Sequence, residues 1–299
     1  MLLPRCWMTA MAPPPLPSAS TNQAPGDRRP QAPLSSRIVA NGSSSVAIAR
    51  RPMFDLHLSS TPGENARAIA KFIADLSHER VEASARFTIA LSGGNSPARL
   101  YAALASPPFA ERIGWQAWHV FWSDERCVPP DSPQSNYKLA RETILRHVPI
   151  PEKHVHRIKG EWMPSAAANA YEEEIAATLG GDKPIFDLIL LGIGEDGHVA
   201  SLFPGSEALH TKTRLAIATL SPDRKMHRIT FTLPLINAAR HVAVIANDAS
   251  KADVLARLMQ PRQADARLPA AMVRPKAGTL HWFLAQEAAS KLPGLGSAR

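Results

Sequence analysis

The sequence predicts an α/β fold, a doubly wound and mostly parallel sheet with helices on both faces in the Rossmann-like manner. Three observations carry this. Apolar runs of strand length alternate along the chain with segments of helical periodicity, as in successive βα units. The clearest run is apolar at nearly every position rather than every second one, which suits a strand covered on both faces. Residues able to do chemistry follow the ends of the runs, where open α/β sheets bind ligands.

Taken in order, residues 87–91 (Phe-Thr-Ile-Ala-Leu) read as the first strand of this kind. Ser92, Gly93, Gly94, Asn95 and Ser96 follow as a loop of small residues, and Pro97 is expected to open a helix with Leu100, Tyr101 and Leu104 on one apolar face. Free N–H groups in such a loop, with the helix dipole behind them, suit a phosphate, although an ordinary strand-to-helix turn has the same composition. No G-x-x-x-x-G-K-[ST] occurs, so a nucleoside triphosphate is not indicated.

A second strand, at 120–123, delivers Asp124, Glu125 and Arg126. A guanidinium there can clamp a phosphate bidentately or pair with its acidic neighbours. After Pro129-Pro130, Ser135-Asn136 reads as a helix cap ahead of Leu139, Ala140, Ile144 and Leu145 at helical spacing. Residues 166–179 predict another helix, on the recurrence of Tyr171, Ile175 and Leu179.

The most informative segment is next. Residues 185–191 predict a strand buried on both faces, which runs into Gly192, Gly194 and Gly197 and leaves Asp196 and His198 at its carboxyl end. Gly192-x-Gly194-x-x-Gly197 also spells a dinucleotide fingerprint. That reading fails because Pro204-Gly205 leave no room for the long helix it needs, and residues 216–220 supply no ribose-binding acid. Further strands are expected at 216–220, 229–233 and 242–246.

Three motifs, in this order, resemble one family. They are Ser92-Gly93-Gly94-Asn95-Ser96-Pro97, then Asp124-Glu125-Arg126-Cys127-Val128-Pro129 with Ser135-Asn136, then Gly192 through Pro204. Together they are similar to the 6-phosphogluconolactonases, and the resemblance covers about residues 53–293. Arg228, Lys251 and Leu268-Pro269-Ala270 also fall in family order. Val199, Asp248 and Gln286-Glu287 depart from the usual pattern, and Asp248, close to Lys251, can compete with a phosphate for that lysine. The resemblance implies the sugar-phosphate isomerase/lactonase type of fold, hydrolysis of 6-phospho-D-glucono-1,5-lactone to 6-phospho-D-gluconate, and Arg228 and Lys251 in a phosphate pocket. The sugar-phosphate deaminases share the small-residue loop and D-G-H, but this chain continues Val-Ala-Ser-Leu-Phe-Pro rather than I-A-F-N-E-P. A sensor that binds sugar phosphate without turning it over is the alternative from another class, and the joint presence of His198 and Asp196 argues against it.

A δ-lactone carbonyl is already electrophilic, so no metal, cofactor or covalent nucleophile is expected. His198 is the candidate base for water and the acid for the departing ring oxygen, since imidazole titrates near neutrality. Asp196 either orients the imidazole or holds the loop. Ser92, Gly93, Gly94, Asn95, Ser96 and Arg126 are the candidate phosphate or oxyanion contacts.

Composition bounds the rest. At 299 residues and 45% apolar content the chain can bury one large core, read as a single domain over 53–299. Residues 1–52 hold nine of the 27 prolines and six arginines against one acid, Asp27, and are expected to be a disordered leader, a targeting peptide or translated upstream sequence. That segment carries five of the eight net positive charges, so the basic balance gives little support to nucleic-acid binding. No apolar run suggests a membrane span. Two cysteines, Cys6 and Cys127, do not make a disulfide framework, and a reducing cytoplasm is the expected compartment. His154-x-His156 lacks a third ligand nearby and is not expected to hold a metal. The expected partner is the small sugar-phosphate lactone alone, with the protein a monomer or weak homodimer.

Overall fold

A computed structural model describes residues 54–180, 183–259, 265 and 267–292, and the strand pairing of Arg37–Ile38. Apart from that pair, the expected leader lies outside the described residues. The strands are β1 (Arg37–Ile38), β2 (Asp55–Ser59), β3 (Phe87–Leu91), β4 (Trp118–Trp122), β5 (Asp124–Arg126), β6 (Leu188–Gly192), β7 (Ala216–Leu220), β8 (His227–Phe231), β9 (His241–Ala246) and β10 (Thr279–Ala285). The helices are α1 (Pro62–Ser84), α2 (Asn95–Leu104), α3 (Phe109–Arg112), α4 (Asn136–Ala140), α5 (Pro164–Leu179), α6 (Leu233–Ile236), α7 (Ala252–Met259) and α8 (Pro269–Met272).

Seven strands form a parallel sheet in the order β1-β2-β10-β9-β6-β3-β4. All five residues of β3 are buried, as are the first four of β6 and the last five of β9, and this is what their near-continuous apolar sequences require. The chain leaves β3 toward β4 on one side, whereas it leaves β6 for elements that lead to β9 on the other. The connections therefore diverge between β3 and β6, and a crevice opens at their carboxyl ends.

Four expectations are corrected. The strand read at 185–191 begins only at Leu188; Ile185 is 44% exposed. Asp187 enters the sheet through its side chain, its carboxylate accepting the Thr88 N–H and hydroxyl at 2.9 Å each. The strands at 216–220 and 229–233 do not join the parallel sheet. They are β7 and β8 of a separate antiparallel sheet, β5-β8-β7, with β8 ending at Phe231. The hairpin between them turns on Asp223, which accepts from the Ser221 hydroxyl and the Lys225 N–H. The 166–179 helix starts two residues earlier, at Pro164, and α2 starts at Asn95 so that Pro97 is its third residue. Sequence periodicity did not single out β2, the 23-residue α1 or the central β10.

Candidate active site

The crevice between β3 and β6 is completed by β5 and β8. One pocket there is lined by Ser92, Gly93, Asp124, Arg126, Asn136, Gly192, Ile193, His198, Ala200 and Arg228. All three sequence motifs contribute to it.

His198 is held by a tight glycine loop. The Gly194 N–H donates to the His198 carbonyl at 2.9 Å and the Gly197 N–H to the Gly194 carbonyl at 3.0 Å. A Cβ on Gly194 would sit 2.1 Å from His198 Nδ1, so only glycine lets the ring lie over the loop, and Gly197 has φ +84°. Asp196 does both things the sequence left open: its Oδ1 accepts the His198 backbone N–H at 3.1 Å and contacts Nδ1 at 2.6 Å. With Nδ1 taken, Nε2 is the nitrogen left for chemistry. The Phe203 ring packs against the imidazole at 4.9 Å. The first helical segment after Gly197 is the short 3-10 turn Glu207–His210.

The arginines meet through the antiparallel ladder. Arg126 on β5 stands directly opposite Arg228 on β8. Ladder hydrogen bonds fall at Cys127 with His227 and at Phe231 with Ser123, so the arginine pair occupies a close, non-hydrogen-bonded position. Like charges placed so oppose one another. Each guanidinium has a buried Nε with no partner among the described residues. Arg126 also donates to the Gln134 carbonyl at 2.6 Å, and Arg228 lies 4.0 Å from Asp124. Burial, and then the Arg126 charge, pulls the Arg228 guanidinium below its ordinary pKa. Two cations with unmet donors beside a glycine loop have the charge and hydrogen-bonding capacity to take an anion.

Buried carboxylates set this ribbon. Asp124 accepts from the Ser201 hydroxyl at 2.6 Å and from Asn136 Nδ2 at 3.2 Å. Ser201 is tied in turn to Thr230. Ala200, just before Ser201, takes φ +49°, an uncommon conformation for a residue with a side chain. Glu125 points to the other face and accepts the N–H groups of Arg126, Asn136 and Tyr137 and the Ser135 hydroxyl, at 2.8 to 2.9 Å. Burial raises its pKa, against the four bonds that favour its charged form. Gly93 packs so tightly on Asn136 that a Cβ would lie 1.9 Å from its Oδ1.

Not every candidate reaches the pocket. Ser92 and Gly93 line it, whereas Gly94, Asn95 and Ser96 form the cap and first turn of α2 and do not. Lys251 stands apart, and its partner is Glu195 at 3.5 Å rather than Asp248. Asp124, Asn136, Ile193 and Ala200 line the pocket without having been singled out for it. The Ser-Asn pair was readable as a cap, which it is, but nothing local to it announces contact with Gly93. His154 stacks on His119 at 4.0 Å, and His156 contacts His119 and Glu174. Among the described residues no group of three or more His, Cys, Asp or Glu is arranged to hold a metal ion. Cys127 is a half-buried free thiol.

A family model described as glucosamine-6-phosphate isomerases/6-phosphogluconolactonase matches residues 60–282. A 6-phosphogluconolactonase of Synechocystis sp. is 44% identical over 214 residues, covering 69% of this chain and 84% of that protein. A probable chloroplastic 6-phosphogluconolactonase 3 of Oryza sativa subsp. indica is 38% identical over 241 residues, 77% of this chain and 73% of that one. The solved 6-phosphogluconolactonase from Trypanosoma cruzi superimposes with a TM-score of 0.72 at 31% identity, over 80% of this chain and 97% of that one.

Proposed function

The chain belongs to the glucosamine-6-phosphate isomerase/6-phosphogluconolactonase family, and from that premise we propose that it hydrolyses 6-phospho-D-glucono-1,5-lactone to 6-phospho-D-gluconate, the second step of the oxidative pentose phosphate pathway. The observation that carries the reading is His198, fixed through Nδ1 by Asp196 and facing the same pocket as two arginines with unmet Nε donors.

In this reading Nε2 of His198 takes a proton from water as the oxygen attacks the lactone carbonyl. The tetrahedral intermediate collapses with cleavage of the ring C–O bond, and the proton passes to the departing ring oxygen. Asp196 stabilises the imidazolium formed in between. Arg126, Arg228 and the Ser92-Gly93 turn hold the 6-phosphate, with Lys251 and the first turn of α2 at the periphery. The activated ester needs no Lewis acid, so the reaction is assigned as metal-independent, in a cytoplasmic setting. No helix among the described residues is long and apolar enough to cross a membrane.

The test is turnover of freshly generated lactone by purified protein, measured against spontaneous hydrolysis. A rate equal to the spontaneous one, with 6-phosphogluconate still bound, would make the protein a sensor. Residues 53–299 are proposed as a single lactonase domain. A chain starting at Met53 gives up the two-residue edge strand β1 and is expected to keep its kcat with little change in Tm, and a Tm several degrees lower would show that the pairing of β1 with β2 contributes to stability.

A further inference from the structure

The crevice needs β3 and β6 to part, and one hydroxyl sits where they do. Their ladder stops at Ala90 opposite Ile189, although β6 stays paired with β9 as far as Gly192. The Leu91 carbonyl accepts the Ser123 N–H on the β4 side, so the Ser92 backbone groups face β6. Continuing the register would join the Ser92 N–H to the Leu190 carbonyl and the Gly192 N–H to the Ser92 carbonyl. Neither bond forms. The Ser92 N–H donates to the Tyr101 hydroxyl at 2.9 Å, that hydroxyl donates to the Ser92 carbonyl at 2.6 Å, and the Gly192 N–H is diverted to Ser92 Oγ at 3.3 Å.

We propose that the Tyr101 hydroxyl is the spacer that holds the carboxyl ends of β3 and β6 apart, which makes Tyr101 a positioning residue for the Ser92-Gly93 turn relative to His198; as a statement about catalysis this rests on the lactonase reading. A hydroxyl is the smallest side-chain group that can both accept from an N–H and donate to a carbonyl. Phenylalanine fills the same volume and does neither. With the hydroxyl gone, the cheapest partners for the two buried Ser92 groups are Leu190 and Gly192 across the crevice.

The fold contains its own control. Tyr171 on α5 makes the same two bonds to one residue, accepting the Trp122 N–H at 2.8 Å and donating to the Trp122 carbonyl at 2.9 Å. Trp122 turns these groups away from β3, on the outer edge of β4, where the neighbour is the segment bridged at Val155 and not a wall of the crevice. Both tyrosines are fully buried or nearly so, 0% and 3% exposed, so their phenylalanine variants lose equivalent interactions.

Tyr101→Phe and Tyr171→Phe are compared for Tm, kcat, KM and amide hydrogen exchange. Both are expected to lower Tm by similar amounts. Tyr101→Phe is expected to lower kcat/KM at least about tenfold, with kcat and KM both affected, because a displacement of about 1 Å between anchor and base can cost about 10²-fold. Tyr171→Phe is expected to stay within about twofold of wild type. The Gly192 amide should exchange more slowly in Tyr101→Phe as it gains the Ser92 carbonyl. Equal kinetics in the two variants, or an unchanged Gly192 amide, would overturn the proposal. If the wild type itself turns over no lactone, the functional reading fails separately, and the exchange at Gly192 still decides whether Tyr101 is the spacer.

Discussion

At the scale of single residues, the site depends on an imidazole whose two nitrogens have been given different work. Asp196 occupies Nδ1 and the adjacent backbone N–H with one oxygen, so a turn of the ring gives up the Nδ1 contact while the loop holds the carboxylate in place. His198→Ala is therefore expected to lower kcat by about 10²–10⁴-fold while 6-phosphogluconate still binds, since general acid–base catalysis contributes about that much and the arginines remain. Steady-state kinetics with a product-binding titration checks this. Near-wild-type kcat would remove His198 as the base. Much of the residue-level site was legible because glycine spacing and an acid two positions before a histidine are local signals. Asn136 was not, because its role depends on a contact with Gly93 43 positions earlier in the sequence, which only the close packing of the two reveals.

Among the elements, the short β5 does more than its three residues suggest, since it crosses from the parallel sheet to the antiparallel one and carries Asp124, Glu125 and Arg126 on alternating faces. Glu125 fastens that crossing to the start of α4. Glu125→Gln replaces one acceptor oxygen by a donor and leaves N–H groups facing N–H groups. It is expected to destabilise the fold by about 1–3 kcal/mol, the cost of buried unmet donors, which denaturant titration would measure. Elements were legible wherever the sequence is apolar at successive positions and bounded by turn residues, as with β3. An apolar run does not say which sheet it joins, however. β7 and β8 have the length and composition of central strands, and the Pro-Asp turn at 222–223 was the available clue that they form a hairpin. α1 and β10 escaped for a different reason, as both carry polar residues among their buried positions, Asn65 and Ser77 in one and His281 in the other.

His281 belongs to a feature of the whole molecule. In the parallel sheet, His57 on β2, His281 on β10 and His241 on β9 contact in a row, at 3.4 and 3.0 Å, against Phe72 and Phe283, with Asp55 the facing carboxylate at 3.7 Å. Burial, and then its two histidine neighbours, pushes the His281 pKa down to about 3; burial lowers His57 and His241 too, and holds His119 in the other cluster near 4. These groups are neutral in the fold and titrate near 6.5 when unfolded. Their contribution is complete above pH 6.5 and is lost as pH falls from there toward the folded values. For His281 the slope is about 1.4 kcal/mol per pH unit in that window. Tm measured from pH 7.5 to 4.5 is expected to fall steadily below 6.5, and His281→Gln to flatten the decline. A Tm independent of pH in this range would show that the row is solvated.

The opposed arginines have a consequence for the lifetime of the protein. Asp124, 4.0 Å from Arg228, offsets part of their repulsion and a bound anion would relieve more, so the occupied molecule is expected to be more stable than the empty one. Occupancy therefore appears as heat resistance. A ligand at about 100 times its Kd adds about 2.7 kcal/mol to the folded state. Inorganic phosphate is accordingly expected to raise Tm more than chloride at equal ionic strength, and Arg228→Ala to abolish the difference. A chain built this way is expected to resist heat best where sugar phosphate is plentiful.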